Sequence, residues 1–256
     1  MTLHRFYIPP AQWNPSAPVL DEAESRHAAE VLRLKPGDAV SVFNGEGIQA
    51  EARISRLGKR EVALEITETR STAPPAARLL LAQAVPKGKN MDLVMQKATE
   101  LGASGLIPLI TERTVVRLSP EEAADKQEKW QRIVIEACKQ CGQNFLPQVH
   151  RPAGLETFLS SIPSTDLRLV AAIEPGAKSL KTILSDWSNA HAPAAAGPDA
   201  RPSSALVLIG PEGDFTPAEL AKIKAAGCQP LTLGPIILRT ETAAIYTLSV
   251  LAHELF

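Results

Sequence analysis

Residues 206–220 read LVLIGPEGDFTPAEL and residues 231–251 read LTLGPIILRTETAAIYTLSVL, and these two segments carry most of the structural information in the 256-residue chain. Two apolar runs within them, Leu206–Ile209 and Leu231–Leu233, are typical of buried parallel strands. Each run is followed by a glycine-bearing loop that leads towards a helix. In open α/β sheets, ligands bind outside the carboxyl ends of the strands. We therefore expect a binding site at these two loops.

Working outward, strands alternate with helices from about residue 73 to the end of the chain. This alternation is typical of a parallel sheet covered by helices on both faces. Two capping boxes with a proline at the first helical position, Ser119–Glu122 and Thr216–Glu219, mark helix starts. We also expect Thr240 to cap the last helix, which runs from about Glu241. The other predicted elements are strands at 79–85, 105–110 and 168–173, helices at 90–101 and 178–187, and a mobile proline-rich loop at 189–204.

The first 70 residues have a different period. The run IQAEARIS at 48–55 alternates apolar and polar residues strictly, and EVALEIT at 61–67 does the same. A helix-like piece, Glu22–Leu34, interrupts these strands. A small, partly closed β-barrel fits this pattern best. The stiff segment STAPPA at 71–76 then separates an N-terminal domain, residues 1–72, from a C-terminal domain, residues 73–256.

One apparent cofactor motif is a hairpin turn. Residues Gly45–Ala50 match the glycine pattern of dinucleotide-binding loops. That pattern must open a helix, because the helix N-terminus binds the pyrophosphate. Here the most regular strand alternation of the chain follows instead. We therefore predict a turn, and a nicotinamide-dependent dehydrogenase is disfavoured.

Composition narrows the class of protein. Hydrophobic residues make up 45% of the chain, which argues against disorder. The chain has 27 Lys and Arg against 28 Asp and Glu, so an RNA partner would require positive residues gathered on one face. Three cysteines form no closed disulfide set, and the pair Cys138 and Cys141 is better explained by helix packing than by a metal site. With no segment long and apolar enough to span a bilayer, we expect a cytoplasmic protein without a bound metal or a membrane partner.

The loop motifs resemble a known enzyme class. Gly210–Gly213 (GPEG) and Leu233–Ala243 (LGPIILRTETA) resemble the SPOUT class of RNA methyltransferases. The resemblance extends to Gln96–Gly102, to Glu136–Gly142, and to the segment VLRLKPGD at 31–38. Together these motifs resemble the RsmE family, which methylates N3 of a uridine in 16S ribosomal RNA, and they cover nearly the whole chain.

The resemblance implies a fold, a cofactor and partners. It implies a PUA-like or OB-like β-barrel at 1–72 that binds RNA, and a SPOUT domain with a deep trefoil knot at about 205–250. It also implies a homodimer that binds S-adenosylmethionine and acts on 16S rRNA, within the small ribosomal subunit. A methyl group on a sulfonium is already activated, so such an enzyme mainly has to hold donor and acceptor in line.

The resemblance also assigns roles to residues by motif position. The expected cofactor-binding residues are Ile173, Gly210, Glu212, Gly213, Leu233, Gly234, Ile237 and Leu238. Arg239 and Glu241 are the expected catalytic residues, and no residue declares itself as the base that removes the N3 proton. Arg5, Lys87 and Arg113 are expected to bind RNA, whereas Arg33 and Lys97 are better explained as solvated surface charges.

Three positions depart from the family pattern. Family members commonly have a glycine where Asp214 stands and an arginine where Gln143 and Ile236 stand. Each departure removes a positive charge or adds a negative one, which weakens the inference about the RNA target more than the inference about the methyl donor. Two alternatives therefore stay open: a SPOUT enzyme with another target, such as a ribose 2′-hydroxyl, and a non-catalytic RNA-binding or ribosome assembly factor.

Overall fold

The computed structural model of the chain describes residues 3–58, 60–191 and 201–256. Contacts along the backbone divide these residues into two compact units. The first unit holds the described residues up to Pro74 together with Ile135–Leu146, and the second holds Pro75–Val134 with the described residues from Pro147 to Phe256. Of the loop predicted at 189–204, residues 192–200 lie outside the described ranges. The functional boundary predicted near residue 72 stays a prediction.

The first unit is built on a five-stranded sheet. Its strands are β1 (His4–Tyr7), β2 (Val19–Leu20), β3 (Ala39–Phe43), β4 (Ile48–Leu57) and β5 (Val62–Ser71). Their order is β1-β3-β4-β5-β2, and β1 runs parallel to β3 while the other pairs are antiparallel. The predicted alternation is confirmed, because Ala50, Ala52, Ile54, Val62 and Leu64 all face the core. The two edge strands do not pair with each other in the described residues, so the barrel is only partly closed.

The helical piece of the first unit is shorter than predicted. Helix α1 (Glu22–Arg26) is capped by Asp21, whose carboxylate accepts a hydrogen bond from the Glu24 N–H, and it continues as a π-helical turn over His27–Val31. The predicted end at Leu34 is wrong by three residues. Arg33 has a φ of 54°, in the left-handed region, and a residue in that conformation ends a helix.

The hairpin between β3 and β4 is confirmed at the glycine pattern. Gly45 and Gly47 have φ angles of 79° and 93°, which side-chain-bearing residues rarely adopt. The Asn44 side chain accepts hydrogen bonds from the N–H groups of Glu46 at 2.8 Å and Ile48 at 3.0 Å. These bonds fix a tight turn, so the segment does not open a helix and has no dinucleotide-binding geometry.

The second unit contains a seven-stranded sheet in which every pair is parallel. Its strands are β6 (Arg78–Ala84), β7 (Ala103–Ile110), β8 (Gln148–Val149), β9 (Ala153–Gly154), β10 (Leu167–Ala171), β11 (Ser204–Ile209) and β12 (Gln229–Leu231). The order is β12-β10-β11-β6-β7-β8, with β9 also paired to β7. The predicted parallel α/β fold is confirmed, and the deep knot within it stays a prediction.

The strand predicted at Leu231–Leu233 is displaced by two residues. β12 stands at the end of the strand order and pairs with β10, and this pairing stops where Leu231 meets Ala171. Leu231 also forms an isolated parallel bridge with Lys178. Thr232 and Leu233 therefore belong to the loop that follows, which lengthens that loop. The short elements β8 and β9 were not predicted, because two-residue strands carry no detectable periodicity.

Six helices complete the described part of the chain: α2 (Asn90–Glu100), α3 (Pro120–Cys141), α4 (Leu155–Ser160), α5 (Leu180–His191), α6 (Pro217–Ala225) and α7 (Thr240–Leu255). Both predicted capping boxes are confirmed: Ser119 and Glu122 exchange hydrogen bonds, and so do Thr216 and Glu219. Helix α4, of six residues, was not predicted.

Two faces of the second sheet are covered. Leu80 and Ala82 of β6 pack with Phe158, Phe215 and Ile223 in one apolar cluster. Leu79 and Leu81, which point to the other face by the strand alternation, are fully buried, and α7 packs against β6 and β11. Among the described residues, no helix combines the length and apolar character needed to cross a membrane.

Candidate functional site

A cavity of about 680 Å³ lies at the carboxyl ends of β10, β11 and β12, beside the start of α7. Parallel strands place their carboxyl ends at one edge of the sheet, and ligand sites of α/β folds form there. The predicted residues Ile173, Gly210, Glu212, Leu233, Gly234, Ile237, Leu238, Arg239 and Glu241 all line this cavity. The structure therefore brings together, at one place, residues from three separate loops.

The entrance of the cavity is apolar. Ile173 and Ile237 are 74% and 79% exposed, and Ile236 is 74% exposed. Large exposed aliphatic side chains that lie this close together are typical of a surface that a ligand or another macromolecule covers. The loop glycine Gly234 has a φ of 111°, and an added Cβ would meet no atom within 4 Å. A side chain at this position would clash with no atom, but it would strain the backbone, because residues that carry a Cβ rarely adopt this φ.

The loop after β11 folds tightly back on itself. A Cβ on Gly210 would lie 3.0 Å from the Asp214 carboxylate and 3.3 Å from the Phe215 ring. Asp214 has a φ of 60°, and its Oδ1 accepts a hydrogen bond from the Phe215 N–H at 2.7 Å. Left-handed backbone favours glycine at this position, and aspartate is one of the few other residues that tolerates it.

Two neighbouring loops hold the same segment in place. The Glu212 carboxylate accepts a hydrogen bond from the backbone N–H of Lys87 at 2.8 Å. The Arg113 guanidinium donates to the Gly213 carbonyl at 2.6 Å, and its aliphatic part lies against the Gly213 backbone. Gly213 is thus covered by Arg113 and lies next to the cavity lining. Its predicted contact with a cofactor stays a prediction.

Thr240 does not cap α7, and that expectation is wrong. The N-cap position is Arg239, and no side chain caps the helix there. The Thr240 hydroxyl is buried, donates to the Gly210 carbonyl at 2.6 Å, and accepts from the Gln83 amide at 2.8 Å. The Thr240 hydroxyl is therefore engaged by the Gly210 carbonyl and the Gln83 amide, and not by the N–H groups of α7.

The start of α7 presents charge to the cavity. Arg239 and Glu241 line it, and neither side chain has a hydrogen bond or ion pair within the described residues. The uncapped first turn leaves N–H groups whose partial positive charge adds to that of Arg239. This end of the cavity therefore presents positive charge, from Arg239 and the helix N–H groups, beside the negative charge of Glu241.

The residues predicted to bind RNA differ in how they are engaged. The Lys87 ammonium group has no partner within the described residues, and its side chain is exposed. The Arg113 guanidinium is bonded to Gly213. Arg5, in the first unit, donates to the carbonyls of Cys138 at 2.9 Å and Gln143 at 3.1 Å. Of the three, Lys87 is therefore the one whose charged group is free to meet a phosphate.

Four polar residues at or beside the cavity were not predicted, and one of them is Thr232 in the loop after β12. Asn90 and Glu174 line it, and Gln83 lies behind it, bonded to Thr240. Glu174 also pairs with Lys224, at 3.1 Å. A sequence signal existed for Gln83, since a lone amide inside the apolar run LLLAQAV needs a buried partner. Within the described residues, no cluster of His, Cys, Asp and Glu is suited to hold a metal ion.

Comparison with known proteins identifies the family. The model of the RNA methyltransferase domain matches residues 73–252, which is well over half of the chain. The chain belongs to the RNA methyltransferase domain family. A second model, of the RNA methyltransferase PUA domain, matches residues 20–67 of this family member.

Individual relatives agree with this assignment. The chain is 31% identical over 232 residues to ribosomal RNA small subunit methyltransferase E of Bacillus subtilis, covering 90% of this chain and 88% of that protein. A methyltransferase from Legionella pneumophila, solved in complex with bound cofactor SAM, is 34% identical with a TM-score of 0.86, over 99% of this chain and 98% of the other.

A second solved structure gives the same result. Ribosomal RNA small subunit methyltransferase E from Neisseria gonorrhoeae, bound to S-adenosyl methionine, is 31% identical with a TM-score of 0.82. The alignment covers 98% of this chain and 97% of that protein. The similarity therefore extends over both units of the chain.

Proposed function

We propose that this protein is an S-adenosylmethionine-dependent methyltransferase that methylates N3 of a uridine in 16S ribosomal RNA. The cavity at the ends of β10, β11 and β12 carries the proposal, because the residues expected to bind the methyl donor line it together. The relatives that share the fold over nearly the whole chain are named as small-subunit rRNA methyltransferases, and two similar proteins are solved with the donor bound.

The lining fits S-adenosylmethionine. A volume of about 680 Å³ lies within the roughly 300–1,000 Å³ of typical ligand pockets. Ile173, Ile237 and Leu238 offer an apolar surface for the adenine, and the backbone at Gly210 and Gly234 allows the close approach of a flat ring. The carboxylates of Glu212 and Glu241 suit the ribose hydroxyls or the ammonium group of the donor.

The bound donor supplies an activated methyl group. The chain therefore has to position the donor and the target base, exclude water from the site and neutralise the charge that develops during transfer. The loops after β10, β11 and β12 hold the donor. The exposed isoleucines at the entrance exclude water when the RNA covers that entrance. The target base has to leave its stack before its N3 can reach the donor. Orientation of the two reactants supplies most of the rate enhancement in such a transfer.

Uracil carries a proton on N3 at neutral pH, so transfer requires that this proton leaves. We propose that Arg239 and the uncapped N–H groups at the start of α7 stabilise the negative charge that develops on the uracil oxygens. Glu241 lies on the first turn of the same helix and lines the same cavity as Arg239. We propose that it orients the base or receives the proton. Both roles stay proposals at the level of single residues.

We also propose the division of labour between the domains. Residues 1–72 would bind RNA as a PUA-like domain, and residues 73–256 would carry the methyltransferase site. Lys87, exposed on the loop between β6 and α2, would guide the RNA backbone. Arg113 and Arg5 are weaker candidates because their guanidinium groups already hydrogen-bond to backbone carbonyls. The RNA lies within the small ribosomal subunit, and the active protein is a homodimer.

The first experiment titrates S-adenosylmethionine into the purified protein by calorimetry. Gly234→Leu should abolish binding, since it strains the loop and projects into the cavity edge. Gly37→Leu is a matched control: Gly37 has a φ of 93° and equally open surroundings, but it lies in the first unit. If the wild-type protein binds no donor, with or without RNA, a non-catalytic RNA-binding factor replaces the enzyme as the proposal.

The second experiment locates the methyl group. Small subunits from a strain lacking the enzyme are incubated with the protein and the donor, and the 16S rRNA is then reverse transcribed. A methyl group on N3 blocks the Watson–Crick edge and stops the polymerase, whereas a ribose 2′-O-methyl group leaves that edge intact. A new stop at a uridine supports the proposed target, and methyl incorporation without a stop contradicts it and places the methyl group off the Watson–Crick edge. Resistance of the modified linkage to alkaline hydrolysis then identifies ribose 2′-O-methylation.

A further inference from the structure

Gln83 is a polar residue on an apolar face. The alternation of β6 places it on the same side as Leu79 and Leu81, which are fully buried, and its own exposure is 1%. It pairs in register with Ile209 of β11, the residue that directly precedes the loop at Gly210. A leucine would pack well on this face, so the presence of an amide needs a physical explanation.

The amide takes part in a hydrogen-bonded chain that crosses three elements. The Gln83 Nε2 donates to the Thr240 hydroxyl at 2.8 Å, and the Thr240 hydroxyl donates to the Gly210 carbonyl at 2.6 Å. The same Nε2 donates to the Ala84 carbonyl at 2.8 Å, which fixes the plane of the amide. β6, the first turn of α7 and the loop after β11 are thereby joined through one buried hydroxyl.

This arrangement includes one buried polar atom that adds no stability. The Gln83 Oε1 is buried and has no hydrogen-bond partner within the described residues. An unsatisfied buried oxygen lowers stability, and an apolar pair of the same shape would avoid it. A polar chain that persists at such a place is better explained by the geometry that it fixes than by the stability that it adds.

Two members of this hydrogen-bonded chain, Gly210 and Thr240, belong to the candidate site. Both line the cavity, as do Arg239 and Glu241 on either side of Thr240. Rotation of the first turn of α7 would move both charged side chains, and displacement of Gly210 would move the loop that carries Glu212 and Asp214. The first turn of α7 has no side-chain cap that would otherwise fix it.

We propose that Gln83 and Thr240 are positioning residues of the methyl-transfer site, which set the distance between the Gly210 loop and the Arg239–Glu241 turn. The inference rests on the proposed function, because it takes this cavity to be the donor site. Gln83 and Thr240 act through one shared hydroxyl, so removal of either should disturb the site in the same way. Neither residue needs to touch the donor or the RNA.

Thr240→Val tests this directly, because valine keeps the shape and removes the hydroxyl. We expect the Kd for S-adenosylmethionine to rise about tenfold and kcat to fall by a similar factor, while the KM for RNA changes less than twofold. Thr240→Ser keeps the hydroxyl and should stay within about threefold of the wild type. The matched control is Thr247→Val: Thr247 is also buried in α7, but its hydroxyl bonds only within the helix, to the Ala243 carbonyl at 2.7 Å.

A double-mutant cycle adds the sharper test. If Gln83→Leu acts through Thr240, the double variant Gln83→Leu with Thr240→Val should bind the donor no more weakly than the worse single variant. Additive losses would overturn the proposed chain. So would equal donor affinity of wild type and Thr240→Val, or equal losses in Thr240→Val and Thr247→Val, which would indicate a loss of helix stability alone.

The proposed function and the positioning role can fail separately. A wild-type protein that binds no donor overturns the proposed function and the positioning role that rests on it. A wild-type protein that binds the donor, with variants that bind it equally well, overturns only the positioning role. Melting temperatures of all variants, measured beside the affinities, show whether each protein is folded at the assay temperature.

Discussion

The carboxylate of Glu212 accepts a hydrogen bond from the backbone N–H of Lys87 at 2.8 Å, across 125 residues of sequence. This bond joins the loop after β6 to the loop after β11, and Glu212 also lines the cavity. Glu212 therefore holds its own loop in place, in addition to the contact with a donor that its position suggests. The two roles can be separated by the choice of substitution.

Glu212→Gln keeps an oxygen that can accept from Lys87, and Glu212→Ala removes it. We expect Glu212→Ala to weaken donor binding about fivefold, since an exposed hydrogen bond of this kind contributes roughly 1 kcal/mol. Glu212→Gln should lose less than half of that free energy if loop positioning dominates. Calorimetric titration of both variants measures the difference. Equal losses would show that the negative charge, and not the hydrogen bond, is what the donor requires.

Asp214 adopts left-handed backbone with a φ of 60°, and its side chain bonds to the next N–H. Asp214→Asn keeps both features, so we expect a free energy of unfolding within about 0.5 kcal/mol of the wild type. Asp214→Ala has no such bond and resists this conformation, which should lower the free energy of unfolding by about 1–2 kcal/mol. Asp214→Gly should be more stable than Asp214→Ala. Urea denaturation of the three variants measures this order, and the reverse order of glycine and alanine would contradict it.

Local signals in the sequence predicted local structure well. The capping boxes at Ser119 and Thr216 and the glycine-bearing turn at Gly45 depend on residues no more than a few positions apart, and all three formed as predicted. The cavity was predictable for a related reason. The carboxyl ends of parallel strands lie at one edge of the sheet, so the loops after β11 and β12 had to lie at the same edge.

Partners that are distant in sequence could not be predicted. Thr240 was expected to cap a helix because its neighbours fit a cap, but its hydroxyl bonds to Gln83, 157 residues away. The segment Ile135–Leu146 groups with the N-terminal strands, although the apolar stripe of α3 runs through it without a break. Periodicity shows which face of an element is buried, and it does not show what buries that face.

Arg5 illustrates the same point, and its role can be tested. Its guanidinium donates to the carbonyls of Cys138 and Gln143 and to the Asn144 side chain, and it lies 4.1 Å from the centre of the Phe43 ring. Lysine cannot reproduce this fork and stacked plane. We expect Arg5→Lys to lower the free energy of unfolding by more than about 1 kcal/mol, and Arg5→Met by roughly 2–3 kcal/mol.

RNA affinity separates this structural role from the predicted RNA contact of Arg5. Binding of a small-subunit rRNA fragment is measured under conditions in which each variant is folded. If Arg5 contacts a phosphate, Arg5→Lys should bind nearly as well as the wild type, and Arg5→Met should weaken binding and reduce its salt dependence. If the role of Arg5 is structural, the RNA affinity of both variants should fall in the same order as their stability. Lys87→Met is the positive control, because the Lys87 ammonium group of the wild type has no partner within the described residues.

His27 makes the stability of the first unit depend on pH. Burial and the nearby Lys139 ammonium group lower the pKa of His27 from its ordinary value of 6.5, and the more distant Glu136 opposes this while His4 adds to it. The unfolded chain then binds a proton more readily than the folded one. Stability from His27 is therefore complete above about pH 6.5 and is lost as the pH falls through the lower folded value.

The variant His27→Gln should remove this part of the pH dependence. We expect the difference in free energy of unfolding between wild type and variant to shrink steadily from pH 7.5 to pH 5.0, measured by urea denaturation at each pH. Burial also lowers the pKa of His150 in the second unit, so His150→Gln should show a change of the same sign. The differences should add in the double variant, since the two histidines lie in separate units. A His27→Gln difference that grows on acidification would reverse the sign of the linkage and contradict the lowered pKa.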